Sequence, residues 1–202
     1  MDGNANQLRP DVTLYFIRHG QTDWNAARRY QGQRDVPLND FGRTQARRNG
    51  GVLARSLQET GAIDFVSSPL GRARETMEII RGAIGLAPGG YRIDPAIQEI
   101  NYGHWEGLLA DELPQHDPEG LAMRRLDAFN WRPKGGESYA DLTRRSGDWL
   151  QTIARDTVAA SHGGVGRTVQ GLILGLGHDE ILRLDAPQDR IMVVTHNRVD
   201  WI

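Results

Sequence analysis

The stretch "LYFIRHGQTDWN", Leu14 to Asn25, decides the fold. Its first residues continue an apolar run that begins at Val12 and is rich in β-branched and aromatic side chains. Such a run reads as a strand buried on both faces, the strand type of a parallel sheet covered by helices. Four polar groups follow at once: Arg18, His19, Gln21 and Asn25. A buried strand that stops at Arg-His-Gly delivers reactive side chains to its carboxyl end. By itself this leaves His19 as a ligand, a base, a nucleophile or a turn residue.

Outward from this strand, strands and helices alternate. Asn39-Asp40 is a helix-cap signal, and "FGRTQARRNGGVLARSLQET" after it predicts a helix stopped at Gly61. Gly50 and Gly51 inside that helix cost about 1 kcal/mol each relative to alanine. Close packing onto a sheet is a reason to keep them. "IDFVSS" (63–68) reads as the next strand, Pro69 opens the helix "LGRARETMEIIRGAIG", and "YRIDPAIQEI" is extended. "SYADLTRRSGDWLQTIA" predicts a helix with Leu142, Trp149, Leu150 and Ile153 on roughly one side. "DTVAASHGG" gives a short strand and turn, "VGRTVQGLILGLG" a helix ended by glycines, and "RIMVVTH" a last strand. This order predicts an α/β fold, a three-layer α/β/α sandwich with a mostly parallel central sheet. Residues 1–11 are expected to be a flexible tail and 12–202 one domain. A cap or insertion segment at about 103–134 is polar and carries Pro114, Pro118 and Pro133.

Composition narrows the function. The chain has 202 residues, with hydrophobic content of 39%, charged content of 25% and a net charge of -2. A domain of this length buries roughly 70% of its unfolded surface, so it needs no covalent staples. The near-neutral charge argues against bulk nucleic-acid or anionic-membrane binding, which call for a basic excess. The absence of cysteine removes disulfides, thiolate chemistry and Cys-type zinc sites. The polar start "MDGNANQLRP" lacks a signal-peptide core, and no apolar run reaches membrane-spanning length. The expected location is cytoplasmic.

In open α/β sheets ligands bind at the carboxyl ends of the strands. Three polar clusters fall at predicted strand ends: Arg18-His19-Gly20, Ser67-Ser68-Pro69 leading to Arg72, and Ser161-His162-Gly163-Gly164. Two histidines and two arginines that converge without a carboxylate cluster of metal-ligand spacing suit an anion. Guanidinium groups bind phosphate bidentately and stay charged. Glycines after each histidine let backbone approach a ligand. Helix starts after the second and third clusters would aim free N–H groups at the same anion. A neutral imidazole in such a site can attack phosphorus and split a hard displacement into two easier ones. The leaving oxygen then needs a proton. "AIQEINYGHWEG" offers Glu99, at the end of an extended segment, and Glu106. A carboxyl beside a bound dianion is pushed toward its acid form, which suits that task.

"RHGQTDWN", "SSPLGRARET", "QEINYGHWEG" and "SHGG" occur in the order and approximate spacing of the histidine phosphatase superfamily, in its phosphoglycerate-mutase-like branch. The resemblance spans about residues 12–202. It implies that His19 is the nucleophile that becomes phosphorylated. Arg18 and Arg72 clamp the phosphoryl oxygens, and His162 stabilises the transferring group. Glu99 is the proton donor and later the base for water. Asn25, Gln31 and Gly163 belong to the phosphate pocket. It implies no metal and no cofactor, a small phosphorylated metabolite as substrate, and a homodimer as a state common in the family. Mutases of the family typically carry Glu-Ser where this chain has Gln21-Thr22, and they are longer. The chain therefore resembles the phosphatase branch, which includes broad-specificity and alpha-ribazole-phosphate phosphatases. Many members have Glu where Gln21 stands.

Competing readings remain beside these. A phosphoglycerate mutase is the alternative enzyme, and a non-catalytic phospholigand binder the alternative outside enzymes. Glu106 reads as part of a Trp-Glu-Gly turn, Arg74 as a solvated helix residue, and His196 as a hairpin-end residue. His104, His116 and His178 read as surface or loop residues. Arg28 and Arg29 read as a solvated face that could also line a pocket rim. Specificity is expected from 103–134, through Arg124, Arg125, Trp131, Arg132 and Lys134.

Overall fold

The structure is a computed structural model and describes residues 8–57 and 62–202. In chain order the elements are β1 (Leu14–Arg18), α1 (Asp23–Ala26), α2 (Asp40–Ser56), β2 (Asp64–Ser67), α3 (Gly71–Ala83), β3 (Arg92–Ile93), α4 (Leu113–His116) and α5 (Pro118–Leu126). They continue with α6 (Tyr139–Thr152), β4 (Thr157–Ser161), α7 (Gly163–Leu174), α8 (His178–Arg183), β5 (Ile191–Thr195) and β6 (Arg198–Trp201). The strands form one six-stranded sheet in the order β3-β2-β4-β1-β5-β6. β3, β2, β4 and β1 are parallel, and β5 and β6 run antiparallel at one edge. Among the described residues no helix is long and apolar enough to cross a membrane.

Strand alternation builds two cores. Leu14 and Phe16 of β1, with Ala159 of β4, face Leu142, Trp149, Leu150, Val165 and Val169 on α6 and α7. Ile17, Val158 and Ala160 point the other way, onto Leu53 of α2 and Met77 and Ile80 of α3. This is the predicted three-layer sandwich. Helix starts follow local chemistry. Asn39 Oδ1 accepts from Gly42 N–H at the start of α2, and Ser138 and Asp141 form a reciprocal cap on α6.

Several details differ from the sequence reading. α2 ends at Ser56, with Leu57 already extended; the expected stop at Gly61 lies outside the described residues. Gly50 serves helix–helix packing, not packing on the sheet. A Cβ there would sit 2.6 Å from the Ala83 Cβ of α3. The expected tail falls mostly on residues 1–7, outside the described residues, but Leu8 is not loose. It is buried in the α6/α7 core, and its carbonyl lies 2.7 Å from His196 Nδ1. α8 and β6 were not read from the sequence; β6 completes a hairpin whose turn holds His196. Only Arg92–Ile93 of the extended segment forms a strand, because Pro95 opens a helical turn over Pro95–Ile97.

Candidate active site

The parallel register brings the strand ends side by side. Arg18 pairs with Ser161, and Ser67 with Ala160. One residue on, His19 N–H donates to the Ser161 carbonyl (2.8 Å) and Ser68 N–H to the Ala160 carbonyl (3.0 Å). His19, Ser68 and His162 therefore share one edge of the sheet.

His19 is buried. Its Nδ1 lies 2.7 Å from the Gly20 carbonyl, so this nitrogen carries the proton and the lone pair sits on Nε2. Arg72 Nε donates to that Nε2 at 3.2 Å. The His162 ring is 5.1 Å away, centroid to centroid. His162 Nε2 lies 2.7 Å from Ser68 Oγ, and its Nδ1 is buried without a partner. Burial, and then the charges of Arg72 and Arg18, push His19 well below the ordinary histidine value of 6.5. Burial, then Arg72, His19 and Arg18, do the same to His162. Both rings are neutral at neutral pH.

Arg72 comes from the first turn of α3 and is almost wholly buried. Its Nη1 donates to the Arg34 carbonyl and its Nη2 to the Gly32 carbonyl, each at 2.6 Å. Burial lowers its pKa to about 10, with Glu99 opposing, so it remains charged. Arg18 Nη1 donates to the Ala186 carbonyl (2.7 Å), and its Nε is buried without a partner. Gly163, first residue of α7, lies against that guanidinium. A Cβ there would be 3.3 Å from Arg18 Nε. The Glu99 carboxylate accepts from Gly164 N–H, at 3.1 and 3.2 Å, and from Ile100 N–H at 2.9 Å. It thus sits on the N-terminus of α7, where the helix dipole favours negative charge.

Asn25 lies at the end of a capping box with Thr22, and its Oδ1 accepts from Gln188 Nε2 (3.1 Å). The Gln31 amide bridges two groups. One end is 2.8 Å from Thr22 Oγ1 and 3.1 Å from Asn25 Nδ2, and the other is 3.1 Å from Arg72 Nη1 and Nε.

Above these groups opens a cavity of about 420 Å³, walled by Arg18, Asn25, Gln31, Glu99, Gly163 and Gly164. That volume suits a small molecule. His19, Arg72 and His162 do not themselves line it; they are a buried layer that adjoins the wall where Arg72 meets Gln31 and Gly32 and His162 precedes Gly163. Glu106 stays apart from this set. Its Oε1 accepts from Gln33 N–H (2.8 Å) and Tyr102 N–H (3.3 Å), pinning the loop that Arg72 holds from the other side. Arg74 donates to the Tyr91 hydroxyl at the surface.

The cap segment behaves differently from expectation. Of residues 103–134, only Ala110 reaches the cavity wall. Trp131 packs on Trp105, the Arg124 guanidinium lies 5.9 Å from the Trp105 ring, and Arg132 pairs with Asp141. The wall is made instead by Gln21, Arg28, Arg29, Tyr30, Tyr102, Arg167 and Gln188. Gln188 also donates to the His19 carbonyl (3.0 Å). No motif around Gln188 or Arg167 signals this, since both arrive by long-range packing. Ser68 belongs to one of the three strand-end clusters, but no motif signals its pairing with His162.

A buried, proton-positioned histidine between arginines, at the strand ends of such a sandwich, defines a phosphate-handling class of α/β enzyme. Residues 14–202 match the histidine phosphatase superfamily (branch 1), and the chain belongs to that family. A probable phosphoglycerate mutase of Serratia proteamaculans (strain 568) is 30% identical over 196 residues, 95% of this chain and 88% of that protein. A mycobacterial glucosyl-3-phosphoglycerate phosphatase, in complex with VO3, is similar with a TM-score of 0.77 at 28% identity. The match covers 94% of this chain and 96% of that one. A putative alpha-ribazole-5'-P phosphatase of Escherichia coli K-12 MG1655 has a TM-score of 0.78 at 22% identity, over 95% of this chain and 94% of that one. At that identity it shows the fold alone.

Proposed function

We propose that the protein is a phosphomonoester hydrolase working through a phosphohistidine on His19. The observation that carries this reading is the His19 hydrogen-bond pattern. The Nδ1–H is held by Gly20, so the lone pair is fixed on Nε2, next to Arg72. Burial beside two guanidinium charges keeps that nitrogen unprotonated at neutral pH.

In this reading the substrate phosphate docks against Arg18, Arg72, His162 and Asn25. Arg72 Nε passes its N–H from His19 Nε2 to a phosphoryl oxygen, and the released Nε2 lone pair bonds phosphorus as the ester P–O bond breaks. Glu99, driven to its acid form by the phosphate dianion bound beside it, gives its proton to the leaving oxygen. The ring is then cationic, and its Nδ1–H remains on the Gly20 carbonyl. Water attacks the phosphorus, Glu99 takes its proton, the P–N bond breaks and neutral His19 returns. Guanidinium charge already fixed in a buried site stabilises the transferring group without reorganisation. No metal has a part in this scheme. Cytoplasmic location and a small phosphorylated metabolite as substrate belong to the same proposal.

Acid-quenched trapping of the phosphorylated protein with a phosphomonoester panel, with and without EDTA, tests the reading. A protein that binds phosphate but never forms the adduct is a binder and not a hydrolase. The probable-mutase relative favours a second reading, phosphoryl transfer between positions of a sugar acid. A coupled assay separates the two: transfer with little phosphate release marks the mutase.

A further inference from the structure

We infer that Arg28 is a specificity-determining residue that selects phosphomonoesters whose leaving group carries a second anionic group; this rests on the phosphomonoesterase reading above. The inference starts from a backbone anomaly. α1 ends in a Schellman motif: Arg29 N–H donates to the Trp24 carbonyl (2.9 Å) and Arg28 N–H to the Asn25 carbonyl (3.1 Å). The position between helix end and chain exit needs a left-handed backbone, which glycine adopts without steric cost. Here it is Arg28, at φ +57°, the only non-glycine residue with positive φ among those described. A Schellman motif explains the backbone angle but not the choice of arginine. An unfavourable side chain kept at such a position points to use of that side chain.

The surroundings say what the use is. Arg28 is exposed at the wall of the cavity that Arg18, next to His19, also lines. The wall holds four arginines and one carboxylate, Glu99. Three of those arginines are committed. Arg18 donates to Ala186, Arg167 to the Leu184 carbonyl (2.7 Å), and Arg29 to the Gly107 carbonyl (2.6 Å), with Glu112 3.5 Å away. The Arg28 side chain has no hydrogen bond or ion pair with any described residue. Arg124 and Arg132 of the cap are turned to Trp105 and Asp141, and no cap arginine lines this cavity. The mouth is therefore cationic beyond what one phosphate uses, and Arg28 is its free donor. A planar guanidinium there matches a carboxylate or a second phosphate.

The test compares esters that differ in that charge. 3-Phosphoglycerate is set against glycerol 3-phosphate, and fructose 1,6-bisphosphate against fructose 6-phosphate, in wild type, Arg28→Gly and Arg28→Lys. Glycine relieves the backbone, so Arg28→Gly is expected to melt no lower than wild type. The wild type is expected to prefer the more anionic ester of at least one pair, which also identifies carboxylate or phosphate. Arg28→Gly should cut that kcat/KM preference about tenfold, mainly through KM, and Arg28→Lys should keep most of it. An unchanged preference in Arg28→Gly, or none in wild type, overturns the inference. The same ligands, titrated calorimetrically into His19→Ala with and without Arg28→Gly, read the contact without turnover. Preserved binding preference with no phosphohistidine in wild type sinks the hydrolase reading alone. Turnover without preference sinks the Arg28 inference alone.

Discussion

Arg72, in the buried floor that adjoins the cavity wall, directs Nε, Nη1 and Nη2 at His19 and two backbone carbonyls, whereas the Arg28 side chain at the mouth directs nothing at the protein. The floor is buried, and its donors are fixed before any ligand arrives. At the mouth Arg28 is exposed, and its charge is free and open to salt. Fixed charge in a dry site acts on the transition state with little reorganisation. Exposed charge acts on encounter and affinity and weakens with ionic strength. Substitutions at the floor should therefore strike kcat, and those at the mouth KM.

The largest effect belongs to His19→Ala. It should reduce turnover by at least about 10³-fold and abolish the acid-trapped adduct, with an unchanged circular dichroism spectrum. Retained turnover would break the contrast at its root. Arg72→Ala comes next, with a loss of about 10²- to 10³-fold in kcat, read from steady-state rates. It should also lower stability by about 1–3 kcal/mol, because the Gly32 and Arg34 carbonyls lose a charged donor. A change in KM alone would place Arg72 with the mouth.

A smaller effect tests how dry the floor is. His19 and His162 are both held well below 6.5 in the native state. The unfolded chain takes up protons on them near 6.5 that the native state refuses. Their contribution to stability is thus fully present above that pH and is lost as pH falls below it. Each histidine adds a slope of up to about 1.4 kcal/mol per pH unit in that range. Urea unfolding at pH values on either side of 6.5 measures it, and His162→Gln should remove one histidine's share. The rate should not fall between neutral pH and 6 through His19 protonation, since its Nε2 stays unprotonated. A flat stability profile would mean that water reaches both rings.

The floor was readable in the sequence because its groups sit on strand ends that period, glycines and order all mark. Arg18, His19, Arg72 and His162 needed only the rule that parallel strands present their carboxyl ends together. The mouth was not readable. Gln188 and Arg167 arrive from segments with no local signal, and Arg124 and Arg132 of the irregular cap segment, where specificity is expected, turn to Trp105 and Asp141. Arg28 looked like any solvated arginine, since a Schellman turn with arginine in the glycine position leaves no pattern in the sequence. The same limit explains Gly50. Two glycines in a helix signal close packing, but not whether the neighbour is a strand or, as here, Ala83 of another helix.

Gln21 offers the finest cut between floor and mouth. It lies on the cavity wall, and its Oε1 accepts from Asn39 Nδ2 at 3.1 Å. Asn39 in turn caps α2 through its Oδ1. Glutamate can keep that acceptor, so Gln21→Glu should leave the fold intact. It changes one thing at the wall, replacing an amide donor by negative charge beside an incoming anion. At this half-exposed position the penalty should be about two- to fivefold in KM at low salt, with kcat unchanged. Raising the ionic strength should shrink it. A matching fall in kcat would show that the wall at Gln21 already acts on the transferring phosphate, and the boundary between floor and mouth would then have to be drawn one shell further out.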